Sequence, residues 1–180
     1  AKMITLKGIV EAEDAVLTSQ TSIRLNGTRV TTNRLSLFAG QGGVTISNSA
    51  FIETLTKLCS TCVNTTILTN GACSPSLLTS PNFTLAIVSA RGAISIQDAS
   101  ELLSSSIGIC VNQTSSITIE AEATIDTSGY GCPAQQGKGG GSLEGSGGGY
   151  GGYGGASNEG YDGGSPYGSS DLACVGSGGG

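Results

Sequence analysis

The chain has no histidine and no tryptophan, and charged residues make up only 12% of it. Without His, Ser-His-Asp and Cys-His nucleophile systems and His-ligated zinc are excluded within the chain. Lys and Arg number 8 against 13 Asp and Glu, a net charge of −5. That balance opposes a nucleic-acid surface, which needs clustered cations to neutralise phosphates. No apolar run approaches the roughly 18 residues of a membrane-spanning helix. The opening residues, Ala1-Lys2-Met3-Ile4-Thr5, lack the apolar stretch and cleavage site of a signal peptide. The closing residues, Gly176-Ser177-Gly178-Gly179-Gly180, lie inside a low-complexity run, so both ends read as cuts in a longer polypeptide.

Phosphate and nucleophile motifs are missing too. The stretch from Gly131 to Lys138 has one residue too many for a P-loop, and Gly139 stands where Ser or Thr is required. No G-x-S-x-G elbow occurs. Residues 128–180 contain no Arg, and Lys138 is their one cation, which excludes an RGG-type RNA-binding segment.

What is present divides near Ser128. Of the 30 Gly, 22 fall in residues 128–180 and 8 in residues 1–127. All five Tyr lie in the later part, and all three Phe lie in the earlier one. Only residues 1–127 have the aliphatic content to bury a core; residues 128–180 form a Gly/Tyr-rich segment that cannot build one alone.

Residues 1–127 read as strands. Ile4-Thr5-Leu6, Ile23-Arg24-Leu25, Val44-Thr45-Ile46, Ile94-Ser95-Ile96 and Ile117-Thr118-Ile119 alternate with period 2 and are rich in β-branched residues. With Ile67 as a further, poorly alternating anchor, the spacings are 19, 21, 23, 27 and 23. Most anchors are followed by a second short segment: Gly8-Ile9-Val10, Thr28-Arg29-Val30, Ala50-Phe51-Ile52, Glu101-Leu102-Leu103 and Ala123-Thr124-Ile125. Turn residues such as Asn26-Gly27 and Asn48-Ser49 separate them. A drifting period near 22, with two or three strands per period, predicts an all-β chain: a right-handed parallel β-helix of about six rungs. The rival is a β-sandwich, which also shows many short strands.

The x-Ile-x-Ile pattern is followed by Gly-Ser-Gly-Gly-Gly-Tyr-Gly-Gly-Tyr-Gly-Gly at 145–155, by Gly163 to Ser169, and by a second Gly-Ser-Gly-Gly-Gly at 176–180. In this the sequence resembles large extracellular glycine-rich surface proteins of protists and plants, which are similar to pectin-lyase-type right-handed β-helices. The resemblance covers about the last 65 residues at motif level and the remainder by rung pattern. It implies a secreted or cell-surface structural role, such as a component of a filament or cell-surface hair. It carries no catalytic residue onto this chain.

Four N-glycosylation sequons are present, at Asn26, Asn64, Asn82 and Asn112, all in the β-rich part and near predicted turns. Ser and Thr make up 44 of 180 residues, so about two of the eight Asn would fall in sequons by chance; N-linked glycans are the expected modification. The six cysteines, Cys59, Cys62, Cys73, Cys110, Cys132 and Cys174, are an even number. The Cys59-x-x-Cys62 pair has redox spacing, but its Ser/Thr/Asn flanks are not a strand-to-helix turn. Zinc would need a second close pair. Three structural disulfides are the favoured reading, with 15 possible connectivities; a Cys132–Cys174 bridge would tie the Gly-rich excursion to the body.

Glu11, Glu13 and Asp14 form one acidic cluster, and Glu120, Glu122 and Asp126 another. They read first as solvated faces. The functional alternative is a calcium site or an acid pair, with Arg24, Arg29 or Arg34 as the base. Tyr150, Tyr153, Tyr161 and Tyr167 each offer an apolar ring with a polar tip, suited to subunit assembly or to stacking on sugars.

A solenoid has two open ends whose unpaired backbone groups template further strands. The expectation is therefore a non-enzymatic, glycosylated, extracellular structural protein with no cofactor. It would either self-associate into a filament or continue a longer solenoid. The alternatives are a carbohydrate-binding adhesin and, third, a polysaccharide lyase or hydrolase.

Overall fold

In the computed structural model the described residues are 2–56, 83–112, 114–128, 132–136, 139–142, 145–149 and 152–166, with the backbone of 62–63 and 173–174. The chain divides into two compact units, Ala1–Thr56 with Ile67–Thr127 and Lys57–Thr66 with Ser128–Gly180.

The first unit is a parallel β-solenoid. Its strands are β1 (Met3–Ser19), β2 (Ser22–Ala39), β3 (Gly43–Ser47) and β4 (Phe51–Thr54), then β6 (Leu85–Ser89), β7 (Ile94–Ile96), β8 (Glu101–Leu103), β9 (Ile107–Val111), β10 (Ile117–Ile119) and β11 (Thr124–Asp126). In the second unit β5 (Cys62–Val63) pairs antiparallel with β12 (Ala173–Cys174). No described residue is helical.

Three ladders share the long β1 and β2. The first runs β1-β2-β3-β7-β10, the second β1-β2-β4-β8-β11 and the third β1-β2-β6-β9. The register stacks like on like. On the first face Ile4, Ile23, Val44, Ile94 and Ile117 form one column and Leu6, Leu25, Ile46, Ile96 and Ile119 the next. On the second face the column is Val10, Val30, Ile52, Leu102 and Ile125. The third carries Leu17, Leu37, Ile87 and Ile109. Period-2 alternation explains this. Each inward residue lands on the aliphatic residue one rung away, and the columns merge into one core whose central members are fully buried.

Among the described residues five strands stack on the first face, where about six rungs were expected, and Val44 pairs directly with Ile94, 50 residues on. Ile67, the anchor expected between them, lies outside the described residues. The sandwich alternative is excluded by the parallel register. The third face was the harder one to foresee, because Leu85-Ala86-Ile87-Val88-Ser89 is buried throughout and does not alternate. Its outer side is covered in part by Phe83, whose ring lies so close to Gly108 that a Cβ there would sit 3.0 Å from it.

Corners bury hydroxyls, each with a partner. Thr28 Oγ1 donates to the Leu6 carbonyl at 2.7 Å. Thr32 Oγ1 lies 2.9 Å from the Glu13 carbonyl and 3.0 Å from that of Arg34. Between the second and third faces, Thr54 Oγ1 donates to Ser104 Oγ at 2.6 Å, and Thr84 Oγ1 lies 2.6 Å from the same oxygen. An unpartnered buried hydroxyl would cost about 1–3 kcal/mol. The Ser/Thr richness of the sequence therefore has a structural use at these corners.

Between the first and second faces the chain turns through consecutive left-handed residues, Asn48 and Ser49 (φ 56 and 54), and again at Asp98 and Ala99 (φ 53 and 52). Asn and Asp tolerate this region; Ser49 and Ala99 are strained in it.

In the second unit the Gly-rich backbone pairs with itself without forming strands. Gly147 N donates to Gly155 O at 2.8 Å, Gly154 N to Gly164 O at 2.9 Å and Gly164 N to Gly147 O at 2.9 Å. A Cβ on Gly163 or Gly164 would overlap the carbonyl oxygen of Gly154 or Gly139. These backbones approach as closely as they do because no side chain separates them.

Candidate assembly surface

Among the described residues, β1 and the set β9, β10 and β11 are the outermost strands of the solenoid's ladders. At one end β1 pairs with β2 on one side, and no described strand meets its other edge. Its inward residues Ile4, Leu6, Val10 and Leu17 cover the core and are half-exposed. At the other end Ile117 is 42% exposed and Ile119 48%, with Ile125 half-buried. Both ends therefore offer aliphatic columns and a row of backbone donors and acceptors, the arrangement that templates strand addition. Covering these seven partly exposed side chains would contribute on the order of 5 kcal/mol. Association itself costs about 4–15 kcal/mol, so apolar contact alone gives weak, concentration-dependent association. Added backbone and polar contacts decide how tight it becomes.

One corner carries a polar ladder. Asn48 Nδ2 donates to Asn26 Oδ1 at 2.6 Å, Asn48 N to Asp98 Oδ2 at 3.2 Å, and Asp98 N to Glu120 Oε2 at 3.5 Å. Its sequence signal was partial. Asn26-Gly27 and Asn48-Ser49 were legible as turns, but that they stack with Asp98 and Glu120 follows only from the register of Val44 with Ile94.

The sequons differ in setting. Asn26 is half-buried within this ladder, and the Thr28 hydroxyl of its sequon is buried against Leu6. Asn112 sits at a turn, its carbonyl accepting from Ser115 N at 2.8 Å, with Thr114 exposed. Asn64 and Asn82 lie outside the described residues.

Side-chain description reaches two of the six cysteines. Cys110 is disulfide-bonded, to a partner outside the described residues. Cys132 is half-buried. The expected Cys132–Cys174 bridge involves a side chain, that of Cys174, outside the described residues. The short strand pair sets the Cys174 backbone opposite that of Cys62. Cys59 and Cys73 lie outside the described residues.

Tyr153 is 80% exposed and Tyr161 37%. The Tyr161 N–H donates to Ser157 Oγ at 3.1 Å, and its carbonyl accepts from Ser157 N at 2.9 Å. Tyr150 and Tyr167 lie outside the described residues. The acidic residues do not form a metal site: no group of three His, Cys, Asp or Glu able to hold an ion occurs among the described residues. β10 ends at Ile119, so Glu120 lies just past the strand and Glu122 in the following turn, both exposed. Of the arginines, Arg29 stacks over the Phe51 ring at 4.5 Å from its centroid, a surface cation–π contact.

A groove of about 700 Å³ runs along the corner between the third and first faces. Lys2, Gln20, Phe38, Gln41 and Arg91 line it. No helix among the described residues is long and apolar enough to cross a membrane. Comparison with known proteins returned no matching family, no matching curated protein and no matching solved structure.

Proposed function

We propose that this chain is a non-enzymatic, extracellular, N-glycosylated structural protein, a subunit or segment of a filament or cell-surface hair. The observation that carries this reading is the run of like aliphatic columns through five strands on the first and second faces and four on the third, with the outermost members partly exposed. A solenoid so built accepts a further rung at either end with the chemistry it already uses inside. The contact is head-to-tail, and head-to-tail contacts that do not close give open filaments. The resemblance of the Gly-rich runs to extracellular β-helix surface proteins supports the same role, as do the turn-located sequon at Asn112 and the disulfide at Cys110.

The test is sedimentation of the purified chain over rising concentration, with electron microscopy of the heaviest fraction. Rods that lengthen with concentration support the reading. A single monomeric boundary up to millimolar concentration overturns it.

A second reading, a carbohydrate-binding adhesin built on the same solenoid, is favoured by the groove with Lys2 and Arg91. Two cations beside amide side chains and the Phe38 ring suit an acidic sugar. Exposed Tyr153 offers a separate stacking surface in the second unit. Glycan-array binding that is lost in Arg91→Ala would establish this reading; no binding to any acidic glycan would remove it.

A further inference from the structure

We infer that the groove at the corner between the third and first faces is the seat of this chain's own glycan, the N-linked sugar carried by Asn112. The inference rests on the N-glycosylated reading above and gives that glycan a place on the solenoid.

Strand register brings the sequon and the groove together. Ser19 pairs with Ala39, Ala39 with Ser89, and Ser89 with Val111. The residues one step further on therefore form a column: Gln20, Gly40, Ala90 and Asn112. Gly40 N donates to the Ser19 carbonyl at 2.9 Å and Ala90 N to the Ala39 carbonyl at 2.9 Å, so the ladder runs on into this corner. On β9, Ile107, Ile109 and Val111 pack against the core. Alternation then sets Asn112 on the outer side, with Cys110. The turn that carries the sequon is fastened beside the groove. The Asn112 carbonyl accepts from Ser115 N at 2.8 Å, and Ser115 Oγ donates to the Arg91 carbonyl at 2.8 Å. Thr114 of this sequon is exposed, whereas the Thr28 hydroxyl of the Asn26 sequon is buried on the Leu6 carbonyl.

The column leaves a glycan an open path. Beyond Asn112 its next members are Ala90 and Gly40, a methyl group and no side chain at all. Gly40 can carry none, because a Cβ there would sit 2.6 Å from the Gln20 carbonyl oxygen. Gly40 lies two strand spacings from Asn112, roughly 10 Å, and Gln20 three, roughly 14 Å. A pyranose unit advances a glycan by about one such spacing, so the first sugars of the glycan reach along the groove. Its walls suit the two sides of a pyranose ring. Half-buried Phe38 lies on one side, and exposed Gln41 and Arg91 on the other. The apolar C–H face of a sugar packs on the aromatic ring, while amide and guanidinium groups donate to its hydroxyls. The linkage forms when the Asn112 side-chain nitrogen attacks the anomeric carbon of a lipid-pyrophosphate oligosaccharide donor. The new C–N bond replaces the C–O bond, the lipid pyrophosphate leaves, and the amide loses one proton.

The experiment uses the full chain secreted from eukaryotic cells, as wild type, Thr114→Ala, Phe38→Ala and the double variant. Thr114→Ala removes the sequon at an exposed position and should fold as wild type does. Glycopeptide mass spectrometry should find Asn112 occupied. Hydroxyl-radical footprinting should then find Phe38 oxidised several-fold more slowly in wild type than in Thr114→Ala. In denaturant titration, Phe38→Ala should lower the midpoint further in the glycosylated chain than in the Thr114→Ala background. If Asn112 is occupied but Phe38 reacts equally in both chains and the two substitutions are additive, the glycan projects into solvent. The inference then falls while the glycoprotein reading stands. If Asn112 carries no sugar, the inference falls together with that reading at this site, and the groove is left open to a sugar from outside.

Discussion

The solenoid and the glycine-rich unit satisfy the same backbone requirement by opposite means. In the solenoid, side chains hold the rungs: Ile23, Ile46 and Ile52 fill columns, and the strands pair because those columns stack. In the second unit, absent side chains do the holding. Gly147, Gly154 and Gly164 bond backbone to backbone at a separation that any Cβ would prevent. The first design tolerates exchange of one aliphatic residue for another but not loss of volume. The second tolerates neither. Aliphatic content thus forecasts where a β core forms, whereas glycine content alone does not separate a linker from a packed unit.

Several substitutions would break or sharpen this contrast. The largest effect is expected for Ile52→Ala, which empties the middle of the second-face column and should destabilise the solenoid by about 3 kcal/mol in denaturant titration. Gly164→Ala should cost the second unit about 2 kcal/mol, because the new methyl meets the Gly139 backbone. It should show as faster hydrogen exchange at Gly149 and Gly154, with the amides of β3 and β7 unchanged. Thr54→Val leaves the Thr54 site without its hydroxyl donor to Ser104 and should cost about 1 kcal/mol in the same titration. Ala99→Gly removes a left-handed strain and should stabilise by about 1 kcal/mol, visible as a higher midpoint. Tyr153→Ala should change stability by less than about 0.5 kcal/mol, since the ring is largely in solvent. A larger loss would mean that the ring is packed in the assembled state under test.

The rung pattern was legible because inward residues at Ile4, Ile23, Val44, Ile94 and Ile117 alternate with polar ones over at least three positions. The second-face segments at Val10, Val30, Ile52, Leu102 and Ile125 were readable for the same reason. Ile67 lies outside the described residues, and the direct pairing of Val44 with Ile94 makes a 50-residue step that a period near 22 does not forecast. The third face was hidden by burial on both sides, which removes alternation. Of the candidate surface, the stacking of Asn26, Asn48, Asp98 and Glu120 at one corner was not foreseeable. It depends on Val44 pairing with Ile94 across 50 residues, a register that only the folded chain reveals.

The central claim is that one copy continues the ladder of another, and the axial repeat of assembled material tests it most directly. Five strands stack on the first face, so head-to-tail assembly predicts a repeat of about 24 Å, built on a spacing of about 4.8 Å along the same axis. Fibre diffraction or cryo-electron microscopy showing both spacings, with the rung spacing parallel to the filament, is the result this account predicts. Filaments with the rungs running across the axis, or with no repeat related to five rungs, would contradict it.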